Sequence, residues 1–126
     1  MAVLVTGGLG FIGAKVVLQL LKRDIDVLVT DIDIEKNKDK LENNILEIGK
    51  SKDKVKYQKL DITNYEQIEN IFQNYKIDSV INLAYGIGTI CEENPLLASR
   101  INIVGTTSMF EMIVKYKILQ SFQTLK

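Results

Sequence analysis

The sequence predicts an α/β fold, a doubly wound parallel sheet with helices on both faces. Three observations carry that expectation. Short apolar runs alternate with longer segments of 3.6-residue period, an alternation that argues for parallel strands. A glycine-rich turn joins the first run to the first helical segment. A chain of 126 residues suits one domain, and right-handed crossovers leave few topologies for it.

The elements follow in order. Ala2–Thr6 is an apolar run ending in glycines, a first strand. Phe11–Arg23 reads as a helix whose only polar stripe is Lys15, Gln19 and Lys22, so it is expected to pack on the sheet. Asp26–Asp31 reads as a second, buried strand around Val27, Leu28 and Val29. From Ile34 to Ile48, Ile34, Leu41, Ile45 and Ile48 share one face of a charged, exposed helix. Val55–Leu60 is a third strand. Asn64 then stands as an N-cap, with Gln67 placed to complete a capping box. Ile68, Ile71, Phe72 and Tyr75 give the period of the next helix. Ser79–Ala84 is a fourth strand. Pro95 suits a helix start, and the apolar run to Tyr116 predicts a long, largely buried helix. Leu119–Gln123 is a candidate fifth strand.

The chemistry concentrates in Thr6-Gly7-Gly8-Leu9-Gly10-Phe11-Ile12-Gly13. From Gly7 it spells G-x-x-G-x-x-G, and from Gly8 it spells G-x-G-x-x-G. Glycines at these points turn the chain sharply out of a strand, clear space for a pyrophosphate and let the helix sit close. The N-terminus of that helix, at Phe11, Ile12 and Gly13, then offers unpaired N–H groups and a positive dipole end to phosphates. A strand–turn–helix with this spacing is the Rossmann dinucleotide fingerprint. Asp31, about 20 residues past the turn, is placed to accept from adenosine ribose hydroxyls. Its charge would repel a 2′-phosphate, which selects NAD over NADP. The alternatives are a surface acid beside Asp33 and Glu35, and a 2′-phosphate received by Lys36 or Lys38.

Composition narrows the rest. Sixteen basic and sixteen acidic residues cancel, which gives no field for nucleic acid or an anionic membrane. No apolar run approaches a bilayer span. One cysteine and no histidine exclude an internal disulfide and most zinc sites and suit a cytoplasmic setting. No metal site is expected. Cys91 stands beside Glu92 and Glu93 and reads as inert.

These residues resemble the extended short-chain dehydrogenase/reductase family, its NAD-dependent epimerase/dehydratase group. Residues 6–13 look like its T-G-x-x-G-x-x-G turn. Asp61-Ile62 resembles the pair that meets adenine, Asn82-Leu83-Ala84 the N-L-A-A segment, and Asn102-Ile103-Val104-Gly105-Thr106 the N-V-x-G-T stretch. The resemblance implies that Gly7, Gly10, Phe11, Ile12 and Gly13 hold the diphosphate and Asp31 the ribose. It further implies that Asp61 and Ile62 hold adenine, and that Leu83, Ala84 and Tyr85 lie by the nicotinamide-side ribose. Asn102 would brace the strand-four loop or a proton relay. Plainer roles stand beside these. Asp61 can cap a turn, Asn82 can satisfy backbone at a strand end, and Asn102 can bond its own backbone. Tyr85 replaces the family's second alanine, either crowding the pocket or shielding the ribose.

The family's chemistry uses a Tyr-x-x-x-Lys pair. None of Tyr57, Tyr65, Tyr75, Tyr85 and Tyr116 has lysine four residues on, and Ser121 is an imperfect echo of the family's catalytic serine. No catalytic residue is therefore assigned. The sequence is expected to be one NAD(P)-binding Rossmann domain, residues 1–126, truncated after about strand five and without the catalytic and substrate part. It is expected to self-associate or to meet a complementary chain. Three functions follow. The chain is the NAD domain of an oxidoreductase acting on a nucleotide sugar, or of an L-threonine-dehydrogenase-like enzyme. It is a non-catalytic NAD-sensing module. Or it is a mononucleotide binder, which lacks the expected Gly-Lys-Ser/Thr.

Overall fold

A computed structural model describes residues 2–86 and 88–116, and the strand 122–124 through its backbone pairing. Strand β1 (Ala2–Thr6) is followed by α1 (Phe11–Lys22), β2 (Val27–Asp31) and α2 (Lys38–Glu47). A short 3₁₀ turn, Lys52–Lys54, leads into β3 (Val55–Lys59), and α3 (Tyr65–Asn74) and β4 (Ile77–Asn82) follow. Beyond β4 come α4 (Thr89–Glu93), α5 (Pro95–Ser99), a π-helical stretch (Arg100–Gly105), α6 (Thr106–Lys115) and β5 (Phe122–Thr124). The sheet order is β3-β2-β1-β4-β5, parallel throughout.

The alternation of side chains sorts the core into two layers. Val3, Val5, Val27 and Val29 meet Val17 and Leu21 of α1 and Leu41 and Ile45 of α2. Leu4, Leu28 and Val80 meet Ile68, Ile71 and Phe72 of α3 and Met109 and Met112 of α6. Strands covered on both faces must be apolar at every position, which is why β1 and β2 read as continuous runs. The expected doubly wound sheet is what the chain forms.

Several boundaries differ from the sequence expectation. α2 begins at Lys38, not Ile34, because the Asp33 carboxylate accepts from the Lys36 N–H at 3.3 Å and holds that stretch in a turn. β4 runs from Ile77 to Asn82, two residues earlier than predicted. Beyond it the Leu83 N–H is shared between the Thr6 carbonyl and Thr6 Oγ1, each at 3.1 Å, and the Ala84 N–H goes to the same Oγ1 at 3.3 Å. Only half of the capping box forms. Asn64 Oδ1 accepts from the Gln67 N–H at 3.1 Å, but Gln67 Oε1 accepts from Asp61 N–H at 2.9 Å. The Asn64 N–H is already committed to the Asp61 carbonyl. The fifth strand lies at Phe122–Thr124. Ser121 and residues 117–120 of the predicted stretch lie outside the described residues.

The long helix runs unbroken from Pro95 to Lys115, with π winding over Arg100–Gly105, but it is not largely buried: Leu96, Ile103, Val104, Phe110 and Val114 are exposed. Apolar content marked this segment, yet only one of its sides reaches the sheet. The wide π turns leave carbonyls out of the regular ladder. The hydroxyls of Thr107 and Ser108 donate to the Ile103 and Val104 carbonyls, each at 2.8 Å.

The turn between β1 and α1 is set by close backbone packing. Gly7 has φ +65°, and a Cβ there would lie 2.7 Å from the Leu83 carbonyl oxygen. A Cβ on Gly13 would lie 2.1 Å from the Gly7 carbonyl oxygen and 2.8 Å from Gly8 Cα. Gly13 therefore lets α1 sit against the turn itself.

Two measurable consequences follow from this packing. Gly13→Ala has to push α1 off the turn, at a cost of about 3 kcal/mol or more, so the melting temperature should fall by roughly ten degrees. An unchanged melting curve would refute that contact. Tyr57, packed under α2 with the Lys38 ammonium 4.8 Å from its ring centroid, has its phenol pushed up to about 12 by burial, with Glu42 and Asp39 adding to the shift. The unfolded chain gives up this proton near its ordinary value of 10.0. The native state then holds more protons, so stability is intact below pH 10 and declines as pH rises towards 12. Tyr57→Phe should lose less melting temperature across that interval than the unaltered chain; parallel curves would refute the burial.

Candidate functional site

A cavity of about 480 Å³ opens at the carboxyl ends of the central strands, a size usual for small-molecule sites. This is where open α/β sheets bind ligands, at the point where strand order reverses. Gly7, Gly10, Asp31, Asp61, Ile62, Leu83, Ala84 and Tyr85 all line it. Phe11, Ile12, Gly13 and Asn102 do not.

The glycine turn forms one wall. Gly10 caps α1 with extended backbone and no side-chain hydrogen bond, and the first turn carries no acidic residue. The helix itself thus supplies no side chain to cap this end, which leaves its N–H groups a favourable place for an anion. Phe11 is 80% exposed and Ile12 48%, and neither side chain belongs to the lining. The Lys15 ammonium sits over the Phe11 ring, 4.2 Å from its centroid.

Asp31 is fixed before any ligand arrives. Its Oδ2 accepts from the Leu9 N–H at 3.2 Å and its Oδ1 from the Ile32 N–H at 2.8 Å. It is therefore more than an incidental surface acid, since it ties the glycine turn to the end of β2. Each carboxylate oxygen keeps a further lone pair for a hydroxyl donor. The charged residues of the lining are Asp31 and Asp61, with no lysine or arginine among the described ones. Lys38 is instead engaged with Tyr57.

Asp61 caps its own turn, as the plainer reading had it. Its Oδ1 accepts from the Thr63 N–H at 2.9 Å and the Thr63 hydroxyl at 2.6 Å. It lines the cavity all the same. Ile62 is buried and lies against Gly105, where a Cβ would come within 3.1 Å of its side chain. Asn82 bonds side chains where backbone was the expectation. Its Oδ1 accepts from the Thr6 hydroxyl, and its Nδ2 donates to Thr106 Oγ1 at 3.4 Å.

Asn102 bonds the strand-four loop and not its own helix. It exchanges two hydrogen bonds with Gly86, accepting from the N–H and donating to the carbonyl, each at 2.8 Å. The Cys91 thiol donates to the same carbonyl at 3.1 Å. That loop carries Tyr85, whose hydroxyl is buried and has no partner. Thr30 Oγ1, also on the lining, is in the same state.

Sequence reasoning missed part of the wall. Thr6 and Thr30 are hydroxyl residues in matching register at the ends of β1 and β2, a signal visible once the strands were aligned. Ile90, Leu97 and Ile101 close the cavity from α4, α5 and the π-helical stretch. No local pattern distinguishes them from core residues. Among the described residues, no helix is long and apolar enough to cross a membrane.

Known proteins resemble this chain in sequence and in fold. The chain is 35% identical over 117 residues to a UDP-glucose 4-epimerase of Cyamopsis tetragonoloba, covering 90% of this chain and 33% of that protein. It superposes on the Thermus thermophilus UDP-glucose 4-epimerase in complex with NAD with a TM-score of 0.76 at 28% identity. That match covers 94% of this chain and 35% of the other. A monomeric L-threonine 3-dehydrogenase from a metagenome, in apo form, gives a TM-score of 0.74 at 28% identity, over 95% of this chain and 34% of that one. The chain thus spans about a third of the length of the relatives it matches. A family profile described as GDP-mannose 4,6-dehydratase matches residues 4–125. The chain belongs to that family, within the NAD-dependent epimerase/dehydratase group.

Proposed function

We propose that this chain binds NAD, as the dinucleotide-holding part of an epimerase/dehydratase-type oxidoreductase that works by hydride transfer on a nucleotide sugar. The observation that carries the reading is the Asp31 carboxylate, held by two backbone N–H groups beside an uncapped, glycine-lined helix end. The Cβ positions of Gly7 and Gly13 are taken by the chain's own backbone, so those glycines close the turn, while Gly10 on the lining leaves bare backbone for a diphosphate.

The division of labour follows the lining. Gly7, Gly10 and the N–H groups of Phe11, Ile12 and Gly13 take the diphosphate. Asp31 takes the adenosine ribose, and Asp61 with Ile62 borders adenine. Leu83, Ala84 and Tyr85 border the second ribose, and Asn102 supports them through Gly86. Bound NAD supplies a hydride acceptor. The chain supplies position: no tyrosine has a lysine four residues on, so proton movement to and from a sugar hydroxyl belongs to groups beyond these residues. On this reading residues 1–126 bind without turning over substrate. The L-threonine 3-dehydrogenase likeness supports a second reading in which the same NAD site serves an amino-acid oxidoreductase. Both readings make the same demand on the cavity.

NAD at a hundred times its dissociation constant should stabilise the purified chain by about 2.7 kcal/mol, a rise of roughly ten degrees in melting temperature. ATP producing an equal rise would instead favour a mononucleotide binder. No rise at millimolar NAD would remove the proposal. Two like charges about 4 Å apart at an effective dielectric of about 20 repel by about 4 kcal/mol, so NADP should bind at least roughly tenfold more weakly than NAD. Asp31→Ala should narrow that ratio, and an unaltered ratio would deny the carboxylate its role.

A further inference from the structure

The helical run from Pro95 to Lys115 has two apolar sides. Ala98, Met109 and Met112 are buried, while Leu96, Ile103, Val104, Phe110 and Val114 are between 49% and 76% exposed. Leu96, Ile103 and Phe110 recur every seven residues, and Val114 follows four later. A stripe with spacings of seven and four is the one by which a helix packs along another helix. These five side chains leave on the order of 500 Å² of apolar surface open, as much as the largest patch on a typical monomer.

The residues between them are also fitted for burial. Thr107 has already given its hydroxyl to the Ile103 carbonyl at 2.8 Å, so covering it strands no donor. Lys115 is engaged with Glu69. Two further exposed charges stand on this run, Arg100 and Glu111. Arg100 makes no ion pair among the described residues. Glu111 takes the Tyr65 hydroxyl and keeps further lone pairs.

The order of these residues is close to its own mirror image. Leu96 and Val114 stand nine residues before and after Gly105, and Ile103 and Thr107 two before and after it. Arg100 stands five before and Glu111 six after. A two-fold axis at that level sets a second helix antiparallel to the first, so each residue meets the one equally far along on the other side. Leu96 then meets the partner's Val114, and Arg100 meets the partner's Glu111, each contact made twice. We propose that two copies of this chain pair through this face, antiparallel about the level of Gly105. Such a pair covers about 1,000 Å² from the five apolar side chains of each copy alone, which reaches the size of a specific interface. None of these residues lines the cavity, so the pairing stands or falls apart from the dinucleotide reading.

Sedimentation velocity on the full chain reads the assembly, with circular dichroism on each variant to show that its helices are kept. The unaltered chain should sediment as a dimer at micromolar concentration. Ile103→Glu, at an exposed position, should sediment as a monomer. Arg100→Glu and Glu111→Arg each place two like-charge pairs in the interface and should raise the dimer dissociation constant at least roughly tenfold. Mixed in equal amounts, these two variants should pair with each other about as tightly as the unaltered chain does, because both contacts again join opposite charges. A monomeric unaltered chain overturns the proposal and leaves the face to an occupant of different sequence. A dimer indifferent to Ile103→Glu and Arg100→Glu also overturns it, since the contact then lies elsewhere. So does a mixture that fails to restore pairing, which would deny the two-fold antiparallel arrangement.

Discussion

One hydroxyl organises the carboxyl edge of this sheet, where the cavity opens. Thr6 Oγ1 donates to Asn82 Oδ1 and accepts from the N–H groups of Leu83 and Ala84. With one proton given and two lone pairs occupied, its hydrogen-bonding capacity is spent. The residue is fully buried, so the geometry is not negotiable with water. This oxygen holds the loop that follows β4 against β1 and brings the Leu83 carbonyl against the bare face of Gly7. The turn on one side of the cavity and the loop on the other are therefore set by a single atom between them. Asp31 extends the same logic to β2 through the Leu9 N–H. The three strands at the switch point are thus joined at their ends by polar contacts that the ladder alone does not supply.

Much of this was legible in the sequence, for a definite reason. β1, β2 and α1 are coded locally: continuous apolar runs, a glycine turn and one polar stripe leave little room for another arrangement. Asp31 was legible because a strand end fixes its position relative to the turn. What the sequence hid depends on contacts between distant segments. Asn102 looked like a residue in the middle of a helix, and only the folded chain brings Gly86 to it. The capping box at Asn64 was half right because Asp61 competed for the same groups. The α5–α6 region was misjudged because apolar composition does not say which side of a helix meets a sheet. Tyr85 was visible as a departure from the family pattern, but its unpaired hydroxyl required coordinates.

The relatives cited above are about three times as long as this chain. The charged lining of the cavity is acidic, and the helix end beside it has no side-chain cap and no acidic residue in its first turn.

The π-helical stretch at Arg100–Gly105 has the geometry of a one-residue insertion into an α-helix. Excising a single residue there would let regular α winding resume, and each residue of an α-helix advances its side chain by about 100°. Asn102 on Gly86 and Gly105 against Ile62 could then no longer both be met, because the two sides of the stretch turn against each other. The widened turns thus act as a phase setting: they dial the helix so that its amide meets one loop while its bare position meets another. Counted in residues the adjustment is minimal, yet both walls of the ligand crevice beyond β3 and β4 are indexed to it.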